Sequence, residues 1–346
     1  MNRTSTASIW KIGLCVLISI VSLVLGSCDK GTNNPLTPNS PGSSLLFVLN
    51  TLGQTLSVVN LDSNTVTQNV ATLEQYPNQV VCDSGKVFAV NSGTATVQIF
   101  NASDYSVVGK ILVGDGTNPM CVAISGNKAY ITCLLTDEVK VADLSTRQIT
   151  KSIHVGHGPT GILIANGKAY ATNTNLTIAG QTVAYGPGSV SVIDCTTDML
   201  IDSIAVGLDP QALAIGPDGY VHVVCTGDYG AVQGSISVIN QTSRLVVATI
   251  PIGGAPGAIA FSRGGIAYVG ATSGTGVARY DGKTYAIIDS SSHPLLGRGG
   301  SAVAADARGY VYVAVFSTDL VLKLDNSGAV VATYPVGSGP QSIAIR

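Results

Sequence analysis

The feature that most constrains this chain is a repeat. Between Leu46 and Arg346 one pattern recurs seven times: a strand carrying an aromatic residue, a strand closing on Asp or Asn, a third strand, then Pro or Gly ahead of a short apolar run. A period of roughly 40–50 residues built only of strand chemistry belongs to propellers and solenoids, whose units bury their faces against one another. The first position is held by Phe47, Phe88, Tyr130, Tyr170, His222, Tyr268 and Tyr312. Around it lie β-branched and small residues, as in Val87-Phe88-Ala89-Val90, bounded by Gly, Asn and Asp, which is strand chemistry. The second position is Asp62, Asn101, Asp143, Asp194, Asn240, Asp281 and Asp325. A short polar side chain that accepts from the backbone two residues on is what an Asx turn requires. The third position is Pro77, Pro119, Pro159, Pro210, Pro256, Gly300 and Pro340.

After each Pro-led run comes a turn such as Asn166-Gly167 or Asp218-Gly219, a strong hairpin signal between apolar segments. Four strands per unit joined by short turns make an antiparallel blade, and seven blades in a ring make an all-β, seven-bladed β-propeller. One domain over residues 45–346 is expected. The chain enters on an aromatic strand and leaves on a Pro-led one. Residues 341–346 are therefore expected to pair with residues 46–50, closing the ring and removing two exposed sheet edges.

Units such as Lys168-Ala169-Tyr170-Ala171-Thr172-Asn173, Ser189-Val190-Ser191-Val192-Ile193-Asp194 and Ile250-Pro251-Ile252-Gly253 resemble the YVTN-repeat β-propellers, YncE-like proteins among them. The resemblance covers about residues 45–346. It implies a seven-bladed propeller and a secreted or cell-surface setting. That family has no single shared activity, so no function passes over with the fold.

The N-terminus stands apart from the repeat. Arg3 and Lys11 precede an apolar run over residues 12–25, short for a membrane span and right for a secretory signal. It ends Leu25-Gly26-Ser27-Cys28, which resembles the bacterial lipoprotein signal. Residues 1–27 are thus expected to be removed and Cys28 lipidated, holding the protein to a membrane that it does not span. Residues 29–44 are rich in Asn, Pro, Thr, Ser and Gly and read as a flexible tether with a reach of roughly 20–25 Å. The expected location is extracytoplasmic, periplasmic or at the cell surface.

Composition excludes several function classes. Loss of Arg3 and Lys11 with the signal leaves 16 basic against 20 acidic residues, and no basic stripe marks a nucleic-acid surface. The one tryptophan, Trp10, lies in the signal, and there is no C-x-x-C-H haem attachment, phosphate-binding Gly-rich loop or G-x-S-x-G elbow. Five cysteines remain in the mature chain: Cys82, Cys121, Cys133, Cys195 and Cys225. They read as small buried thiols, with Cys121–Cys133 as the alternative of a bridge across one hairpin. His222 reads as packing, since it fills the aromatic position. His154 and His157, three apart on or beside a strand, would face opposite sides, so they do not read as a metal pair.

What is left is positional. The loops from outermost to innermost strand and those between second and third strands share one face. Asp115, His157, Asp209 and Arg298 precede the Pro position there, and Asn78, Thr160, Gln211 and Gln341 follow it toward the central funnel. The same face receives the two longest insertions, residues 174–188 and 226–234, with Tyr185, Asp228 and Tyr229; other units manage with turns like Ser92-Gly93-Thr94-Ala95. Long loops on a rigid scaffold are where binding residues concentrate. The expectation is a monomeric, non-enzymatic scaffold that binds a protein or polymeric ligand on this face, without catalytic residues, metal or cofactor. The alternative is a metal-assisted lyase or lactonase, with a divalent ion at the funnel among Asp115, His157, Asp209 and Arg298.

Overall fold

The computed structural model describes residues 44–179, 182–272 and 276–346. The signal, Cys28 and all of the tether but Ser44 lie outside the described residues. Seven antiparallel sheets of four strands stand in a ring, and among the described residues the one helical turn is Phe316–Thr318. Blades are numbered by their aromatic strands, from blade 1 around Phe47 to blade 7 around Tyr312. The innermost strands are Pro77–Asp83, Pro119–Ser125, Pro159–Ala165, Pro210–Ile215, Pro256–Phe261, Ala302–Ala305 and Pro340–Ile345. The last pairs with Leu45–Asn50 in the register Leu46–Ile345, Phe47–Ala344, Val48–Ile343. Ring closure is therefore as the phase of the repeat requires.

The aromatic position is buried in every blade, and its inner-strand partner is usually small. Phe47 faces Ala344, Tyr130 faces Ala123, His222 faces Ala214, Tyr268 faces Ala260 and Tyr312 faces Ala304. Blades narrow toward the channel, and alternating small with large residues fills that taper. The Asx turns form as well. Asp194 Oδ1 accepts from the N–H groups of Thr196 and Thr197 at 2.9 and 3.0 Å, and Asp143, Asn240 and Asp281 repeat this geometry. Blade 1 corrects the reading. There Asn60, not Asp62, accepts from residues 62 and 63. Asp62 instead pairs with Arg308 at 2.8 Å across the blade 7–blade 1 seam.

Prolines at the head of the inner strands donate nothing, so their carbonyls are what the ring uses. Thr51, Thr160, Thr226 and Ser301 donate hydroxyls to the carbonyls of Pro77, Pro210, Pro256 and Pro340 in the next blade, at 2.7 to 3.1 Å. Asn78 reaches Pro119 more weakly, at 3.5 Å. Gln79 locks blade 2 to blade 3 by pairing with the backbone of Val122. Blade 7 lacks the proline for a backbone reason. Gly300 has φ +101°, and a Cβ there would lie 2.7 Å from the Cα of Gly270, so neither proline's fixed φ nor any side chain fits.

The five cysteines of the propeller are thiols, Cys121 and Cys133 included. Burial pushes Cys121 up, and Cys133 up to about 12, as befits small apolar packing groups.

Candidate functional site

Two insertions meet on one face. Within the blade 4 insertion Leu176–Ala179 pairs with Thr182–Tyr185 as a hairpin of its own, with Leu176 opposite Tyr185, an element beyond the four-stranded repeat. Its base is tied down where the Asn175 N–H donates to the His157 carbonyl at 2.9 Å. The blade 5 loop is shaped by Asp228, whose Oδ1 accepts from the N–H groups of Gly230 and Val232, both at 2.8 Å. The Tyr185 and Tyr229 rings come together with centroids 5.9 Å apart and planes tilted by 41°.

Beside this pair lies Asp209. It immediately precedes Pro210 and has φ +50°, a left-handed conformation that Asp tolerates better than most residues. The same position in other blades is Asn118, Gly158 and Gly339, all with positive φ. Its carbonyl clamps the Thr226 N–H at 3.0 Å, as the corresponding carbonyls do elsewhere. The carboxyl is what sets it apart. Asp209 is 0 % exposed and Gln211 1 % exposed. Gln211 Nε2 donates to Asp209 Oδ1, while Asp209 Oδ2 and Gln211 Oε1 are buried acceptors without a hydrogen-bond donor. Burial pushes the carboxyl up to about 7 against the opposing pull of Gln211 and the nearby Tyr229 hydroxyl. Burial, and then the charge of Asp209, raise both tyrosine phenols. A buried carboxyl with an open acceptor is an unfinished interaction.

The remaining sequence candidates do not join this group. His157 is half-exposed and pairs through Nδ1 with Asp137 at 2.9 Å. That bond raises its pKa above the usual histidine value, and Asp137 also accepts the Gly158 N–H. His157 therefore braces the base of the hairpin. Asp115 and Arg298 are exposed, in separate loops. Asn78 is spent on the inter-blade belt, and Gln341 is buried in the inner strand of blade 1. Among the described residues no three His, Cys, Asp or Glu side chains gather as a metal would need. The residues proposed for a funnel metal thus do not fit one.

The sequence reading missed Asp137, whose Leu-Leu-Thr-Asp turn looked like any other hairpin connection. It also missed a network on the opposite face. His222 packs against Phe261 and Tyr280, and its Nδ1 meets the Tyr280 hydroxyl at 2.8 Å while Nε2 meets Asp218 at 3.2 Å. Tyr285 also donates to Asp218 at 2.8 Å. Burial raises the Asp218 carboxyl, but the bonds from His222, the Tyr220 N–H and Tyr285 outweigh it and hold it below its ordinary value.

The turns of both faces are net acidic, those on the insertion side more so. The loops on the insertion side carry Glu74, Asp115, Asp137, Asp209, Asp228 and Asp319, with Arg298 as their only lysine or arginine. The opposite turns set Arg147, Arg244, Arg263, Lys283 and Arg308 against Asp62, Asp104, Asp198, Asp218, Asp306 and Asp325.

Fold and topology define a seven-bladed β-propeller. The chain is similar in structure to hydrazine synthase from Kuenenia stuttgartiensis, with TM-score 0.63 and 20 % identity over 78 % of this chain and 89 % of that one. It is also similar to virginiamycin B lyase from Staphylococcus aureus, with TM-score 0.56 and 17 % identity over 75 % and 84 %. At such identities the likeness speaks for the fold alone. No protein-family model and no curated protein sequence matches the chain.

Proposed function

We propose that this protein is a binding propeller, tethered through a lipid on Cys28 outside the cytoplasm and related to the YVTN-repeat proteins. Its capture surface for an extended protein or polymer segment is the face where the insertions of blades 4 and 5 meet. The observation that carries the reading is the convergence of Tyr185, Tyr229, Asp209 and Gln211 from separate strands and loops. Tyrosines contribute contact area at low entropic cost, and binding sites favour them. The metal-assisted alternative has no ligand set to work with, since His157 is committed to Asp137 and Asp209 is buried apart from the other candidates.

The test is site-specific photo-crosslinking in cells. A benzophenone amino acid at Tyr229 should give a discrete adduct that the same group at Val247, on the exposed outer strand of blade 5, does not. Identical adducts from both positions would overturn the assignment of this face. For the anchor, Cys28→Ala should abolish incorporation of labelled palmitate and release the protein from membranes.

A further inference from the structure

We propose that Asp209 and Gln211 form the seat for a lysine ammonium presented by a basic polypeptide segment. The inference deepens the reading of the loop-rich face as a capture surface and rests on it. Three observations lead to it. The first is chemical valence: the two unpaired atoms, Asp209 Oδ2 and Gln211 Oε1, are both acceptors. They call for a ligand group that brings N–H or O–H donors, and one acceptor belongs to a carboxyl, which favours a cation. The second is the tyrosine pair. Tyr185 and Tyr229 stand close enough to Asp209 for its charge to act on their phenols. Aromatic rings beside a carboxylate are a setting in which a cation gains twice, from the charge and from the ring quadrupole. The third is the field. The surrounding loops carry Asp115, Asp137, Asp209, Asp228 and Asp319 against Arg298, with Lys110 held on Glu74 and Lys140 on the Val113 carbonyl, so the face is net acidic and attracts a basic segment.

Depth selects among cations. Asp209 is 0 % exposed, and the half-covered Tyr185 and the 38 % exposed Tyr229 stand beside it. A group that reaches the carboxyl must come on a narrow arm that displaces the Tyr229 ring. Lysine has such an arm, a four-carbon stem ending in a compact ammonium with three donors. A guanidinium is broader and planar, and a ring-borne amine would have to bring its ring with it. Tyr229 rides a loop outside the strands that turns on Gly227, at φ +90°, whereas Asp209 is held by its backbone bond to Thr226.

The experiment is fluorescence anisotropy on the mature protein with a labelled lysine-rich peptide at physiological salt. Two control peptides carry the same sequence, one with every lysine Nε-acetylated and one with arginine for lysine. The lysine peptide should bind, the acetylated one at least tenfold more weakly, and the arginine one several-fold more weakly. Asp209→Asn should weaken the lysine peptide at least tenfold while the melting temperature at pH 5 is kept. Because only the ionised carboxyl is competent, wild-type affinity should fall about tenfold from pH 8 to pH 6, and the Asn variant should be flat.

No binding of the lysine peptide, equal binding of either control, or indifference to Asp209→Asn would overturn the inference. If Tyr185→Ala and Tyr229→Ala remove capture of the crosslinked partner while Asp209→Asn does not, the ammonium seat falls and the capture surface stands. If none of the three matters, both fall.

Discussion

Replacing Asp209 with Asn should remove most of the pH dependence of stability between pH 5 and pH 8. In the folded protein burial raises this carboxyl from its ordinary 3.8 to about 7. Between those values the folded state holds a proton that the unfolded chain has released. Stability must then decline as pH rises, by about 1.4 kcal/mol per unit, until the folded carboxyl ionises near neutrality. The full shift amounts to about 4 kcal/mol, of which about 2 kcal/mol is lost between pH 5 and pH 7 and about 3 kcal/mol by pH 8. Asn cannot ionise, matches Asp in shape and can still accept from Gln211 Nε2. His157 is also raised, by Asp137, so it loses stability in the same direction as pH rises. It is half-exposed, which makes its share small, and it is present in both proteins. Urea unfolding of wild type and Asp209→Asn at four pH values, compared as a difference, isolates Asp209. The variant should match the wild type near pH 5 and exceed it by about 3 kcal/mol at pH 8. A difference that stays constant across the range would refute the claim that the buried carboxyl titrates near neutrality.

Two further outcomes follow from contacts away from the site. Tyr130 donates to Asp198 Oδ1 at 2.5 Å, whereas the buried Tyr170 hydroxyl has no partner; the residue standing where Asp198 would serve it is Arg244, which turns to Asp202. Denaturant midpoints should therefore show Tyr130→Phe costing about 1–3 kcal/mol and Tyr170→Phe neutral or stabilising, and equal losses would contradict this. Gly161→Ala would place a Cβ 2.2 Å from the Gln211 carbonyl oxygen; a loss of about 1–3 kcal/mol is expected as the inner strands of blades 4 and 5 part, and unchanged stability would refute that close approach.

Much of the fold was legible because the repeat restates it. Any one aromatic strand is ambiguous, but seven in a common phase fix strand order, blade count and closure at Leu46–Ile345. Where the repeat offers two equivalent readings, it fails. In blade 1 Asn60 and Asp62 are both short polar residues at the strand end, and only the pairing of Asn60 with Leu45 makes the former the turn acceptor. The blade 4 insertion was legible in part. Leu176-Thr177-Ile178 and Val183-Ala184-Tyr185 alternate with the period of a strand around Gly180-Gln181, enough for a hairpin. Its tie to the His157 carbonyl is the backbone clamp that Gly93, Leu135 and Gly227 make in other blades, and a backbone bond leaves no mark in the side chains of the segment.

The site was hidden for a different physical reason. Asp209 occupies a position whose demand is conformational: a residue that accepts positive φ ahead of proline, met elsewhere by Gly158, Asn118 and Gly339. An Asp in that position is explained by its backbone, and nothing local separates it from the glycines. What turns it into chemistry is the cover. In blade 1 Gly339 lies against the short connection at Leu52 and donates its N–H to Asp319 at 2.8 Å, with no insertion over it, so a carboxylate there would stay hydrated and feel burial little. At Asp209 the blade 4 hairpin and the blade 5 loop exclude water, and exclusion is what raises the carboxyl and leaves Oδ2 and Oε1 wanting donors. Moving the carboxyl to Gly339 by Gly339→Asp, alongside Asp209→Gly, separates position from cover: the relocated group should titrate well below neutrality, raised only as far as the neighbouring Asp319 carboxylate raises it. A carboxyl near 7 in that double variant, read by NMR titration of the labelled aspartates, would mean that the propeller position and not the insertions makes the site.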